Sequence, residues 1–175
     1  MIQTLNLPVA NFDEVIRELV ETGKQVKVLW QEDESLAFIA KGRDYRSEFH
    51  VNPSSELMYQ LKGSMNLHIR TPEGREEVII LSEGSAIYTP PEVPHSPRFP
   101  SSAFLLVVER KRRPGEVDRF LWFCPKCDNQ LHEEQFVVED YRTDPVSQAY
   151  RNFYGSEQAR TCTRCGEVMP KPEGW

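Results

Sequence analysis

Between about residues 25 and 112 the chain alternates short apolar segments with turn sequences, and no helical pattern interrupts them. The segments are rich in β-branched and aromatic residues: VKVLWQ, SLAFIAKG, RSEFHV, ELMYQLKG, SMNLHIR, EEVIILS, SAIYTPP and AFLLVVERK. Turn residues separate them, as in Asn52-Pro53 and Pro72-Glu73-Gly74. Many short strands without intervening helices predict a mainly β fold, an antiparallel sandwich or barrel.

A helix is predicted before this strand-rich segment. Asn11 can cap it by accepting hydrogen bonds from the backbone amides of the first turn. Apolar residues then recur at helical spacing: Phe12, Val15, Ile16, Leu19 and Val20. Gly23 can end the helix, because glycine readily adopts a positive φ.

The chain changes character after Arg112-Arg113-Pro114-Gly115. In an acidic chain, such a basic stretch is typical of a solvated edge rather than of a binding patch. Beyond it, HEEQFVVED predicts a strand, and VSQAYRNFYGSE predicts a helix that Asp144-Pro145 opens. We therefore predict a main domain over residues 1–112 and a small C-terminal lobe over residues 113–175.

Charge and hydropathy exclude several classes of function. A net charge of −6 argues against binding of nucleic acid, which needs a basic face. Apolar runs stay well short of the ~20 residues of a membrane span. The first residues, MIQTLNLPVANFDEV, lack the charged and apolar regions of a signal peptide. A cytoplasmic protein without membrane or nucleic-acid partners is expected.

His50, Glu56 and His95 can together hold one metal ion. In one straight strand, His50 and Glu56 would stand about 20 Å apart at about 3.3 Å per residue. The turn sequence Asn52-Pro53-Ser54-Ser55 predicts a reversal that places them on antiparallel neighbouring strands. His95 lies in TPPEVPHSPRFP, which we predict to be a stiff, extended loop. Two imidazoles and one carboxylate leave open positions on an octahedral ion, as a non-haem Fe(II) oxygenase needs.

The four cysteines form two C-x-x-C pairs separated by 34 residues: Cys124 with Cys127, and Cys162 with Cys165. Each pair can hold one side of a tetrahedral ion, as in a zinc ribbon or a rubredoxin knuckle. A redox pair is the alternative, but two matching pairs favour a structural site of iron or zinc in a reducing compartment. Such an ion would stabilise a lobe that is too small for its own core.

The two halves of the candidate metal site resemble the two cupin motifs. His50-x-Asn52-x3-Glu56-x6-Gly63 is similar to the first motif, and Gly84-x5-Pro90-x4-His95 is similar to the second. Many cupins carry a second histidine where this chain has Asn52. The resemblance implies a cupin-type antiparallel β-barrel, or jelly roll.

Along nearly its whole length the chain resembles the bacterial 3-hydroxyanthranilate 3,4-dioxygenase family. The stretches that carry the resemblance include YRSEFH, ELMYQLKGSMNL, IYTPPEVPHSPRF, LVVERKR, FLWFCPKC and CTRCG. The resemblance implies catalytic Fe(II) on His50, Glu56 and His95, and a rubredoxin-like site on the four cysteines. It implies O2-dependent opening of the 3-hydroxyanthranilate ring to 2-amino-3-carboxymuconate semialdehyde. That product leads to quinolinate and NAD by the kynurenine pathway, or belongs to aromatic degradation.

The resemblance also implies substrate-handling residues. Arg46 matches an arginine that contacts O2 or substrate, and Glu109 matches a glutamate that bonds the ring substituents. Arg98 is the candidate for the carboxylate-binding arginine, although the family usually has one more residue between His-Ser-Pro and this arginine. The alternative for Arg46 and Glu109 is an ion pair at a strand edge.

Two further hypotheses stay open from the sequence. One is a cupin dioxygenase with another substrate, such as a catechol, a homogentisate-like ring or a thiol. The other is a cupin sensor whose zinc ribbon docks to a partner or to nucleic acid, against which the acidic charge argues. We predict a homodimer, because cupin domains commonly pair through sheet edges.

Overall fold

The computed structural model describes residues 7–43, 45–142 and 145–172, apart from the side chain of Pro145. In these residues the elements are α1 Phe12–Thr22, β1 Val26–Glu32, β2 Ser35–Lys41, β3 Phe49–Val51, β4 Glu56–Lys62, β5 Ser64–Arg70, β6 Glu76–Ser82, β7 Ala86–Thr89, β8 His95–Arg98, β9 Phe104–Arg110, β10 Asp118–Phe123, β11 Gln130–Phe136, α2 Pro145–Gly155 and α3 Glu157–Arg160. Within these ranges, no helix is long and apolar enough to span a membrane.

The strands form two antiparallel sheets. One has the order β1-β2-β9-β4-β7, and the other has the order β11-β10-β3-β8-β5-β6. Their inner faces meet in one apolar core, where Met58 and Leu105 of the first sheet pack with Met65, Leu67 and Leu81 of the second. Side chains of successive strand residues alternate between faces, so every second residue enters this core. The predicted antiparallel cupin-type barrel is confirmed.

The predicted N-terminal helix is also present. Asn11 caps α1 by accepting hydrogen bonds from two backbone amides of the first turn, and Gly23 ends the helix at a φ of 70°. The apolar face of α1 packs through the fully buried Leu19 against Ile39 and Phe104 on the outside of the first sheet. The helix therefore covers one outer face of the barrel and leaves the barrel interior free.

Two strands are new relative to the sequence prediction. Part of the proline-rich segment forms β8, which lies between β3 and β5. The other new strand, β10, pairs with β3 and with β11, so residues from beyond position 112 complete the second sheet. The boundary at residue 112 stays a prediction. The predicted C-terminal helix is α2 from Pro145, whereas Asp144 lies outside the described residues.

Candidate active site

The three predicted metal ligands come together inside the barrel. His50 lies in the middle of β3, and it pairs in register with His95, the first residue of β8. Glu56 is the first residue of β4 in the opposite sheet. The candidate ligand atoms of the three side chains all lie within 4.8 Å of one another. Both sheets therefore contribute to one site.

The route from His50 to Glu56 differs from the prediction. The two residues do not lie on neighbouring strands, because β3 is flanked by β8 and β10 and β4 is flanked by β7 and β9. The turn sequence Asn52-Pro53-Ser54-Ser55 instead carries the chain from one sheet to the other. Glu56 consequently faces the histidines across the barrel interior.

The geometry around Glu56 and His95 fits a metal ion. Glu56 Oε2 lies 2.9 Å from His95 Nε2, but this buried oxygen takes part in no well-formed hydrogen bond among the described residues. The other ring nitrogen, His95 Nδ1, lies 2.9 Å from the carbonyl oxygen of Val93. A carbonyl only accepts, so Nδ1 carries the proton and Nε2 keeps its lone pair. Two lone pairs this close need a cation between them: a proton, which the carboxylate of Glu56 favours by raising the pKa of His95 against the effect of burial, or a metal ion in its place.

Burial and neighbouring charges set the protonation of the ligands. Burial lowers the pKa of His50, and this effect outweighs the nearby carboxylate of Asp118. For Glu56, burial alone would raise the pKa, but the neighbouring His95, when it holds that proton, brings it down to about 2. A neutral imidazole and an ionised carboxylate are the forms that bind a metal.

A cavity of about 440 Å³ opens beside these ligands. This volume lies within the roughly 300–1,000 Å³ of small-molecule sites. Apolar side chains line much of it, among them Met58, Phe99, Leu105, Val107 and Phe120. Tyr141 and Val146, which follow the barrel strands, also line it. The cavity thus suits one small planar ligand with a few polar substituents.

Arg46 and Glu109 both line this cavity, as expected of substrate-handling residues. Arg46 Nε lies 2.8 Å from Glu48 Oε1, and the hydroxyl of Tyr150 in α2 donates a hydrogen bond to the other oxygen of Glu48. Glu109 is buried at 6% exposure. Burial and the charge of Glu56 raise the pKa of Glu109 to about 7, despite the opposing effect of Arg112.

Arg98 does not join the other predicted residues. His95 and Pro97 of β8 line the cavity, whereas Arg98 points to the other face of the strand and lines a separate pocket of about 220 Å³. There its Nε donates to Ser96 Oγ at 3.2 Å, and its guanidinium lies over the ring of Phe49. The strand alternation explains this placement, because residues 95 and 98 are an odd number of positions apart.

The buried pair of Arg112 and Asp118 was not predicted from the sequence. The interpretation of Arg112 as a solvated edge is wrong, since its side chain is 2% exposed. Its guanidinium contacts Glu109 and Asp118, and Asp118 Oδ2 lies 2.7 Å from His50 Nε2. Strand alternation gave no signal for this burial, because Arg112 lies three positions from Glu109 and follows the end of β9 at Arg110. Only the later strand β10, which was not predicted, supplies its partner.

The four cysteine sulfurs converge as predicted, with Cys124 Sγ 3.6 Å from Cys165 Sγ and Cys127 Sγ 3.5 Å from Cys162 Sγ. Disulfide bonds are about 2.05 Å long, so these thiols are not bridged. The two halves match in their backbone: Asp128 N donates to Cys124 O and Gly166 N donates to Cys162 O. The four thiolates are therefore presented by two equivalent knuckles that suit a tetrahedral ion.

Comparison with known proteins gives one consistent match. The family model described as 3-hydroxyanthranilic acid dioxygenase matches residues 1–154. A Bacillus thuringiensis protein named 3-hydroxyanthranilate 3,4-dioxygenase is 37% identical over 158 residues, which cover 90% of this chain and 88% of the relative. A protein of the same name from Shewanella woodyi is 38% identical, with 84% of this chain and 79% of the relative covered. A solved cupin-2 domain protein from Shewanella frigidimarina has a TM-score of 0.45 at 17% identity, covering 59% of this chain and 96% of that one.

Proposed function

The chain belongs to the 3-hydroxyanthranilic acid dioxygenase family, and we propose that it opens the ring of 3-hydroxyanthranilate with O2 at the site of His50, Glu56 and His95. One observation carries the proposal. The ligand atoms of these three residues lie within 4.8 Å of one another on the wall of a largely apolar cavity. Both oxygen atoms of O2 enter the product. The ring bond that breaks joins the hydroxyl-bearing carbon to the neighbouring carbon that carries hydrogen, which gives 2-amino-3-carboxymuconate semialdehyde.

We propose Fe(II) as the catalytic ion. Two imidazoles and one carboxylate are the set that non-haem Fe(II) oxygenases use, because it leaves open positions. Iron bound there would supply the site at which the hydroxyl and amine of the substrate and O2 meet. For the four cysteines we propose a second ion, iron or zinc, with a structural role.

Other residues of the cavity can bind the substrate and accept the proton of its hydroxyl group. The apolar walls formed by Met58, Leu105 and Phe120 can hold the ring and exclude water. Arg46 can bind the ring carboxylate, because its Nε is anchored by Glu48 and its guanidinium lies on the cavity wall. Glu109 can accept the proton of the substrate hydroxyl as it binds, and it can return that proton to the product.

The direct test is O2 uptake by iron-loaded protein prepared without air. We expect stoichiometric O2 consumption with 3-hydroxyanthranilate and none with anthranilate, which lacks the hydroxyl group. The same protein freed of iron should be inactive and should recover when Fe(II) is added. An iron-loaded sample that leaves O2 unconsumed in the presence of 3-hydroxyanthranilate would refute the assignment.

The positions of Arg46 and Arg98 lead to a prediction about substrate binding. Arg46→Gln should raise the KM for 3-hydroxyanthranilate by roughly 30-fold, since a lost charge-assisted contact costs about 2 kcal/mol. Arg98→Gln should change this KM less than about threefold, because its side chain lies outside the cavity.

The control for this pair is 2-aminophenol, which lacks the carboxylate. Steady-state kinetics with this compound should be nearly the same for the parent protein and for Arg46→Gln. A large KM effect of Arg98→Gln that is confined to the carboxylated substrate would instead assign the carboxylate to Arg98.

We also propose that the protein is a cytoplasmic homodimer. The cysteines are free and gathered as a metal site, which is typical of a reducing compartment.

The edge strand β6 exposes Val78 and Ile80 at 51% and 72%, and an uncovered apolar edge strand favours pairing with another strand. Sedimentation equilibrium should give twice the chain mass, and Ile80→Lys should shift it toward the monomer.

A further inference from the structure

Arg112 occupies an unusual position for an arginine. Its side chain is 2% exposed, and it lies behind two carboxylates that line the cavity, Glu109 and Asp118, whose side chains are each 1% exposed. An arginine costs free energy to bury unless its donors are used. Besides a hydrogen bond to the carbonyl oxygen of Arg110 and a place over the ring of Tyr141, the contacts of this guanidinium lead toward the metal ligands.

The first arm of these contacts leads to His50. Arg112 Nε donates to Asp118 Oδ1 at 2.5 Å and Arg112 Nη2 donates to Asp118 Oδ2 at 2.8 Å, which is a bidentate pair. Asp118 Oδ2 in turn lies 2.7 Å from His50 Nε2. An ionised carboxylate only accepts, so it fixes both the tautomer and the ring angle of His50.

The second arm leads to Glu56. Arg112 Nη1 donates to Glu109 Oε2 at 2.7 Å and to Ser54 Oγ at 3.0 Å. Ser54 Oγ and Asn52 Nδ2 also donate to Glu109, and the same Asn52 nitrogen donates to Glu56 Oε1. Asn52 stands where many cupins have a histidine. Through its two hydrogen bonds it connects Glu109, which Arg112 contacts, to the candidate metal ligand Glu56.

The charges support the same conclusion. Three buried carboxylates, Glu56, Glu109 and Asp118, meet within the site, and Arg112 is the described cation that contacts two of them directly. Without it, Asp118 would lose its two strongest donors and could turn away from His50. A divalent ion together with Arg112 would balance the three carboxylates.

We propose that Arg112 is a positioning residue for the metal site, which holds His50 through Asp118 and Glu56 through the Glu109–Ser54–Asn52 contacts. The proposal rests on the metal site of the proposed function but not on its substrate. Arg112 touches no substrate in this arrangement and is not a catalytic residue. Its effect should appear first in how firmly the site holds its ion.

The test is the rate at which a chromophoric ferrous chelator removes iron from the purified holoenzyme. Iron can leave from the catalytic site and from the cysteine site, so the release curve can have two kinetic phases. The phase that the parent protein shows and His95→Ala lacks is the release of iron from the catalytic site. Arg112→Lys keeps the charge but loses the two-pronged contact, and it should release this iron roughly 10–100 times faster, as loss of a partner behind a ligand typically does. Asp118→Asn should accelerate release to a similar degree.

The decisive comparison is the double variant. If Arg112 acts in part through Asp118, adding Arg112→Lys to Asp118→Asn should accelerate release by a clearly smaller factor than Arg112→Lys does in the parent protein, because one of its two paths is already broken. Arg110→Lys is the matched control, since Arg110, two positions before Arg112, pairs with Glu116 and the carbonyl oxygen of Pro53 and has no described contact with Glu109, Asp118 or a metal ligand. It should release iron at the parental rate.

Two outcomes would overturn the proposal. One is a parental release rate in a folded Arg112→Lys protein. The other is an equal, independent effect of Arg112→Lys in the Asp118→Asn background, which would indicate a general structural role. Failure of the proposed substrate leaves a different signature, namely a holoenzyme that retains iron normally but consumes no O2.

Discussion

Replacing His95 by alanine should abolish O2 consumption with 3-hydroxyanthranilate while the barrel stays folded. His95 combines a fixed tautomer with a lone pair aimed toward Glu56, so its loss removes one of the three ligands. A catalytic metal ion stabilises the transition state by several kcal/mol. Losing about 4 kcal/mol of this stabilisation corresponds to a roughly 10³-fold lower kcat/KM. Oxygen-electrode kinetics and the iron content of the purified variant measure the effect.

The chain supplies its own controls for this substitution. It contains four histidines, and the other two, His68 and His132, pair with Glu76 and Glu134 outside the cavity. His68→Ala should keep activity within about threefold, as surface substitutions usually do. Circular dichroism should show the same β content for all variants. Undiminished activity of His95→Ala with full iron content would contradict the assignment of this ligand.

The sequence predicted the barrel and the three ligands for different physical reasons. Strand patterns are local, since alternation and turn residues act over a few positions, and this made the antiparallel architecture predictable. The three candidate ligands could be named because two motifs, each with its own spacing, both pointed to one metal site. The pairing of β3 with β8 and β10 could not be predicted, because it joins segments far apart in sequence.

The errors concern long-range partners of charged residues. The basic stretch predicted a solvated Arg112, but β10 places Asp118 against its guanidinium. Without a predicted β10, the sequence gives no reason to bury an arginine. Arg98 was the candidate for binding the substrate carboxylate, but it lies on β8, which was not predicted as a strand. Side chains alternate along a strand, so residue 98 faces away from the side that carries His95. In both cases one unpredicted strand decided the environment of a functional candidate.

The second large effect concerns the cysteine site. Cys162→Ser should lose the second metal ion and lower Tm by roughly 10 °C, since structural ions contribute strongly to folding and roughly 3 °C accompanies each kcal/mol. Helix α2 packs on the barrel through an aromatic cluster in which Tyr150, Phe153 and Tyr154 join Phe120 and Trp122 of β10, so loosening this helix should expose Trp122, which is fully buried. Differential scanning calorimetry and a red shift of tryptophan emission measure these changes.

The same variant tests whether the lobe contributes to the cavity. Tyr150 of α2 holds Glu48, and Glu48 anchors Arg46, so disorder in this helix should raise the KM for 3-hydroxyanthranilate by roughly tenfold, equivalent to about 1.4 kcal/mol. Thr163→Ser, in the same knuckle but with all four thiols kept, is the matched control and should behave as the parent. If Cys162→Ser lost its second metal ion but kept Tm and KM, the ion would be dispensable for both the lobe and the cavity. A raised KM with 3-hydroxyanthranilate but not with 2-aminophenol would trace the effect to Arg46.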